Sequence, residues 1–177
     1  MADPGRHLLS VLVENKPGVL TRIAGMFARR GYNIHSLAVG PTDDPTLSRL
    51  TLVVGSDAVQ VEQIVKQLNK LINVIKILEL DPAESVEREL QMVKVNAPAE
   101  VRGQILQLVD VFRAKVCDVD HDAITIEASG SPEKLEALAE LLEPYGIREL
   151  VRSGTISLGR GAKAITDGSK PRMQRVV

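Results

Sequence analysis

The sequence predicts an α+β protein made of two consecutive βαββαβ units, each an antiparallel sheet with two helices on one face. Three observations lead there. Apolar residues recur at periods of two and of about 3.6, in the order strand, helix, strand, strand, helix, strand. The same order then runs a second time, with little residue identity between the halves. The 177 residues are enough chain for two small domains.

The first strand covers residues 7–13, with Leu9, Val11 and Val13 on one side. It stops at Glu14-Asn15-Lys16-Pro17-Gly18. From Val19 the period becomes helical: Val19, Leu20, Ile23 and Phe27 share a face, and Gly31 closes the helix. Residues 32–39 read as a second strand, Gly40-Pro41-Thr42-Asp43-Asp44-Pro45 as a polar loop, and 50–54 as a third strand. Ser56 or Asp57 caps a helix carrying Val61, Ile64, Val65, Leu68 and Leu71. A fourth strand, Val74–Leu80, completes the unit.

The second unit follows Asp81-Pro82. A strand over 89–95 precedes a helix marked by Val101, Ile105, Leu108 and Phe112. Cys117 and Val119 lie in a short strand, Asp120-His121-Asp122 makes a turn, and 123–128 returns. Ser131-Pro132-Glu133 starts a helix with a cap, a proline in the first turn and an acid near the dipole's positive end. Leu135, Leu138 and Leu142 follow, and 147–151 closes the unit. Both units are therefore ferredoxin-like. The boundaries are 1–83, 84–158, and a basic tail over 159–177 that is expected to be mobile. Net charge divides along these boundaries: +1, -6 and +4.

Composition narrows the function. The net charge is -1, which gives no basis for a general electrostatic nucleic-acid binder. Aromatic residues are 2% and Trp is absent, so the core is aliphatic and stacking platforms for single strands are not expected. One cysteine, Cys117, allows neither an internal disulfide nor a cysteine-based zinc site. No apolar run reaches the ~20 residues that span a bilayer, and the first residues carry no signal-peptide pattern. The expectation is a cytoplasmic protein without membrane or nucleic-acid partners.

The candidate site is Asn15-Lys16-Pro17-Gly18-Val19-Leu20, where the first strand meets the first helix. Unpaired N–H groups and the positive end of the helix dipole suit a carboxylate there. Pro17 presets the backbone, Gly18 removes a Cβ, and the Asn15 amide offers donor and acceptor to a ligand bearing both amine and carboxylate. An ordinary Asn-capped turn has the same spacing. Asn33 and Ile34, after the first helix, form a second element. First and second strands are not neighbours in this fold, so Asn33 need not face Asn15 within one chain; in a two-fold dimer it could.

Other signals are weaker. His7, His35 and His121 stand alone. Asp118, Asp120, His121 and Asp122 alternate faces on a strand and turn, which is no metal site. Cys117 reads as a strand filler. Gly159-Arg160-Gly161 lacks the βαβ context of a dinucleotide loop. No P-loop or spaced pair of catalytic carboxylates is visible, so no catalytic or metal residues are expected.

The stretch from Leu9 to Leu20 resembles the opening of an ACT domain, a module that binds amino-acid effectors. Arg30-Gly31-Tyr32-Asn33-Ile34, Ser36-Leu37, Pro41-Thr42-Asp43-Asp44-Pro45 with Leu47-Ser48-Arg49, then Lys66-Gln67-Leu68-Asn69-Lys70-Leu71, Val86-Glu87-Arg88-Glu89-Leu90 and Arg152-Ser153-Gly154 resemble the small regulatory subunit of acetolactate synthase. The resemblance runs from about His7 to Gly161. It implies a non-catalytic chain that holds no cofactor of its own. Its implied partner is a large catalytic subunit carrying thiamine diphosphate, magnesium and FAD, which condenses two pyruvates, or pyruvate with 2-oxobutyrate, in branched-chain amino-acid synthesis. It also implies activation of that subunit, feedback inhibition by valine, and a homodimer through the N-terminal ACT domains. Valine would lie between Asn15, Lys16, Pro17, Gly18, Val19 and Leu20 of one chain and Asn33 and Ile34 of the other. The second unit has Asn96-Ala97-Pro98-Ala99 at the corresponding turn, so no effector is expected there. Two other classes compete: a free-standing ACT-domain sensor with another partner, and an enzyme on the same scaffold, which would need a convergent titratable set.

Overall fold

The computed structural model describes residues 5–55 and 57–167. They divide into two compact units: residues through Val86 together with those from Ser157 onward, and Glu87–Ile156.

In the first unit the elements are β1 (Arg6–Glu14), α1 (Val19–Arg30), β2 (Ser36–Pro41), β3 (Leu47–Gly55), α2 (Ala58–Leu68) and β4 (Val74–Leu80). The sheet order is β2-β3-β1-β4, antiparallel throughout. Leu9, Val11 and Val13 of β1 and Leu50, Leu52 and Val54 of β3 pack beneath Val19, Ile23, Met26 and Phe27 of α1 and Val61, Ile64 and Leu68 of α2. Each such side chain, fully buried, contributes about 1.5–3 kcal/mol. The Asp57 carboxylate caps α2 by accepting from the Gln60 N–H at 2.8 Å; Ser56 lies outside the described residues.

Three readings change. Residues 32–35 are loop rather than strand, because Gly31 takes φ +67 and its N–H and that of Tyr32 turn back to Ala28 O and Phe27 O. Tyr32 and Ile34 still pack on the core, Tyr32 edge-to-face with Phe27, so their alternation reflected burial and not strand pairing. Second, β1 is buried on both sides: Leu8, Ser10 and Leu12 are as enclosed as the core-facing residues. On that far side Arg49 Nε donates to Ser10 Oγ at 2.8 Å, and burial lowers the Arg49 pKa. Third, the beginning of the basic tail does not hang free. Strand β9 (Ile156–Gly159) pairs with β5, Arg160 N–H donates to Glu84 O at 2.7 Å, Lys76 Nζ donates to Asp167 O at 2.8 Å, and Ile165 is buried. The rest of that tail, 168–177, lies outside the described residues.

The second unit has β5 (Ser85–Asn96), whose first residues belong to the first unit, then α3 (Ala99–Val111), β6 (Lys115–Val119), β7 (Ala123–Gly130), α4 (Pro132–Leu142) and β8 (Ile147–Arg152). Its order, β6-β7-β5-β8, repeats the first. Val93, Val95, Ile124 and Ile126 meet Ile105 and Val109 of α3 and Leu135, Leu138 and Leu142 of α4. Ser131 caps α4 with Pro132 in the first position. Cys117 is exposed, against the expectation of a strand filler: β6 is an edge strand, and the register shifts between Val116 and Asp118.

Candidate functional site

The turn between β1 and α1 is built by backbone bonds to two other connections. Glu14 N–H donates to Asn73 O at 3.0 Å, and Asn15 N–H donates to Thr46 O at 2.7 Å. Asn15 Nδ2 donates to Pro45 O at 2.9 Å. That orients the amide and leaves Oδ1 with no protein donor among the described residues. Lys16 N–H donates to Glu14 O, and Lys16 Nζ to Glu14 Oε1 at 3.2 Å.

Gly18 is the N-cap of α1, with φ +82 and no side-chain cap bond. An L-residue resists that conformation. A Cβ there would meet nothing within 4 Å, so the space above the helix end is open. Val19 N–H bends back to Lys16 O at 3.4 Å, a weak bond. The N–H groups of Gly18, Leu20 and Thr21 belong to the set that a helix leaves without an internal acceptor. Asn15, Lys16, Pro17, Gly18 and Leu20 are exposed, and Val19 is buried as the anchor of the turn.

Behind the turn lies a polar relay outside the predicted site set. Asn73 Nδ2 donates to Glu14 Oε2 at 2.6 Å, and Arg22 Nη1 donates to Asn73 Oδ1 at 3.0 Å. The Asn73 bond, with a smaller contribution from Lys16, holds the Glu14 carboxyl below its ordinary pKa despite some desolvation. Asp44, on the neighbouring β2–β3 turn, is lowered by the Thr46 hydroxyl and N–H. No local pattern announces Asn73 or Arg22: Asn73 meets Glu14 where β4 begins beside β1, and Arg22 of α1 reaches Glu14 only by way of Asn73.

Asn33 and Ile34 do not join this turn within one chain. They precede β2, whose Ser36 lies opposite Val53, itself opposite Leu8. Glu14 lies opposite Leu47 at the other end of the sheet. The length of α1 separates the two places, about 18 Å for twelve residues.

The corresponding turn of the second unit is closed. Ala97 N–H donates to Asp122 O at 2.9 Å, as Asn15 does to Thr46. Pro98, the N-cap, is extended at φ -60. Arg102 sits at the fourth helical position, as Arg22 does in α1. Its guanidinium donates to Ala97 O at 3.1 and 3.0 Å, to Asp120 O at 2.9 Å, and to His121 O. Arg148 Nε donates to Asn96 Oδ1. Asp120 Oδ1 accepts from His121 N–H, so the acids here serve the turn. Among the described residues no group of three or more His, Cys, Asp or Glu converges, and no helix is long and apolar enough to cross a membrane.

Residues 9–76 match the family described as the AHAS small subunit-like ACT domain, and residues 88–161 match that described as the small subunit of acetolactate synthase. The chain belongs to the acetolactate synthase small-subunit family. Among curated relatives, the acetolactate synthase small subunit of Mycolicibacterium smegmatis is 58% identical over 159 residues, covering 90% of this chain and 94% of its own length. That of Mycobacterium bovis is 56% identical over 163 residues, covering 92% and 97%. The crystal structure of the small subunit from Thermotoga maritima superposes with a TM-score of 0.82 at 42% identity, covering 89% of this chain and 99% of that one. The family matches divide the chain into the same two halves as the βαββαβ repeat. Membership in the small-subunit family makes this a regulatory ACT-domain chain, whose partner is the large catalytic subunit.

Proposed function

We propose that this chain activates the large, thiamine diphosphate-dependent subunit of acetolactate synthase in the cytoplasm and makes it sensitive to valine, without catalytic residues or cofactor of its own. Thiamine diphosphate, magnesium and FAD belong to the catalytic partner. The observation that carries the effector reading is the uncapped, left-handed Gly18 at the head of α1, with open space above it and Asn15 beside it. The valine carboxylate meets the N–H groups of Gly18, Leu20 and Thr21 at the positive end of the helix. Its ammonium meets Asn15 Oδ1. Its isopropyl group lies on Leu20, whose exposure is 40% in the single chain.

A homodimer completes this site. β2 is an edge strand that pairs only with β3 among the described residues, and its outward Val39 is exposed. Two such edges meeting antiparallel about a two-fold axis bring the Asn33 end of one sheet toward the Asn15 end of the other. Asn33 and Ile34 of the second copy then close the pocket. Ligand binding thereby reports dimer geometry, and it shifts the catalytic subunit by its differential affinity for two states, ~1–3 kcal/mol.

Calorimetric titration with valine, leucine and isoleucine, beside the solution mass, tests the reading. The expected result is a dimer that binds valine, with binding abolished in Gly18→Asp by bulk and charge. Full valine sensitivity in Gly18→Asp would refute the placement. Addition of the chain should raise acetolactate production by the large subunit, and valine should lower it.

A further inference from the structure

The last turn of α1 and the end of α2 border a half-open cleft of about 450 Å³, lined by Met26, Arg29, Arg30, Gln67, Lys70 and Leu71. That volume is within the range of small-molecule sites, roughly 300–1,000 Å³. Met26 is buried and Leu71 half-buried, so the floor is apolar, while Arg29, Arg30 and Lys70 are exposed at the walls. Arg30 Nη2 donates to Gln67 Oε1 at 2.9 Å, which fixes its fork and leaves the amide nitrogen of Gln67 to donate. Arg29 and Lys70 have no carboxylate partner among the described residues.

Cations at helix C-termini usually need no ligand, since they complement the dipole. The second unit shows that this fold does not require them. α3 and α4 end without a basic residue in the last turn, while α1 ends in Arg29 and Arg30 and α2 carries Lys66. Counted from the N-caps, Met26, Arg29 and Arg30 correspond to Leu106, Val109 and Asp110, and Gln67 to Leu141. One corner of the same architecture is basic and concave, and its counterpart is apolar and acidic. The three cations are therefore a property of the first unit's surface and not of its topology.

We propose that this cleft binds a small multivalent anion, a phosphate ester or polycarboxylate metabolite, whose charged head is held by Arg29, Arg30 and Lys70 and whose body lies over Met26 and Leu71. The planar fork of Arg30 suits bidentate contact with phosphate or carboxylate oxygens. A concave cleft favours a small ligand over a flat protein surface. The site is separate from the valine turn and stands without it.

The test uses the full chain and two probes, inorganic pyrophosphate and citrate, with chloride at equal ionic strength as the control. Calorimetry should show saturable binding of at least one probe that weakens as salt rises. Arg30→Gln and Lys70→Gln should each weaken it about tenfold, the loss expected when a hydrogen bond to a charged group goes. Lys115→Gln, an exposed lysine of β6, removes the same charge from the second unit and should leave binding unchanged. Valine binding should survive in all three variants. Absence of saturable binding, or an equal loss in Lys115→Gln, would overturn the proposal. So would unchanged probe binding in Arg30→Gln accompanied by weaker association with the large subunit, because the cleft would then be a protein-docking surface.

Discussion

The two halves share one strand order and one pattern of antiparallel pairing, yet they treat the same turn in opposite ways. In the first, β1 hands over to α1 through a left-handed glycine, and the head of the helix stays open. In the second, β5 hands over to α3 through an extended proline, and Arg102 fills the space with its own guanidinium. The arginine is present at the fourth helical position of both helices. In α1 it turns to Asn73 and supports the turn from behind; in α3 it turns to three carbonyls and closes the turn. Topology is thus set by apolar periodicity, whereas the openness of the helix head is set by one residue at the N-cap and by where one long side chain points.

The largest expected difference concerns the cores. Each unit has one phenylalanine near the end of its first helix. Phe27 is 2% exposed, but Phe112 lies at the margin of its cluster and is only partly buried. Phe27→Ala should cost about 3–5 kcal/mol, cavity included. Phe112→Ala should cost about 1–2 kcal/mol, in proportion to the smaller area withdrawn from water. Urea denaturation of both variants decides it, and equal losses would break the claim that the first core depends more on its aromatic residue.

The arginines come next. Arg102→Ala removes charge-assisted bonds to three carbonyls and should destabilise the second unit by about 2–3 kcal/mol. Arg22→Ala removes one exposed bond to a neutral amide and should cost less than about 1 kcal/mol. Hydrogen exchange at the heads of α1 and α3 separates the two effects locally. If Arg22→Ala proved the more damaging, the first turn would depend on its arginine as much as the second, and the contrast would fail.

The legible parts of this molecule are those governed by local periodicity. The strand over Val74–Leu80, the Ser131 cap with Pro132, and the Asn15–Gly18 turn follow from spacing and turn chemistry within a few residues. Three parts required the third dimension. Tyr32 and Ile34 alternate like a strand because both reach the core, but Gly31 sends the backbone through a loop first. Strand β9 and the burial of Ile165 depend on residues 157–167 returning to the first unit, which their Gly, Lys and Arg composition conceals. The relay from Arg22 through Asn73 to Glu14 joins residues 59 and 51 positions apart, and no helical or strand spacing links them.

The smallest effect, and the most local, is electrostatic. Glu14 is ionised more readily than an ordinary glutamate, chiefly because Asn73 donates to it and secondly because Lys16 lies beside it. A carboxyl whose folded pKa is depressed stabilises the fold fully above its unfolded pKa, about 4.3, and loses that contribution as pH falls through the folded value. Acid should therefore loosen the first turn below about pH 4. The Arg102 bonds that close the second turn should persist in that range, because they go to carbonyls, which do not titrate. Asn73→Ala removes the leading cause, so the Glu14 pKa should rise toward its ordinary value and the acid-dependent loosening of the first turn should shrink. A carboxyl-detected NMR titration of Glu14 reads the first effect. Amide exchange at Arg22, whose N–H donates to Gly18 O, against Arg102, whose N–H donates to Pro98 O, reads the second. Simultaneous loss of protection at both helix heads would show that acid unfolds the units together, and that the relay behind Asn15 does not set the pH response of its own turn.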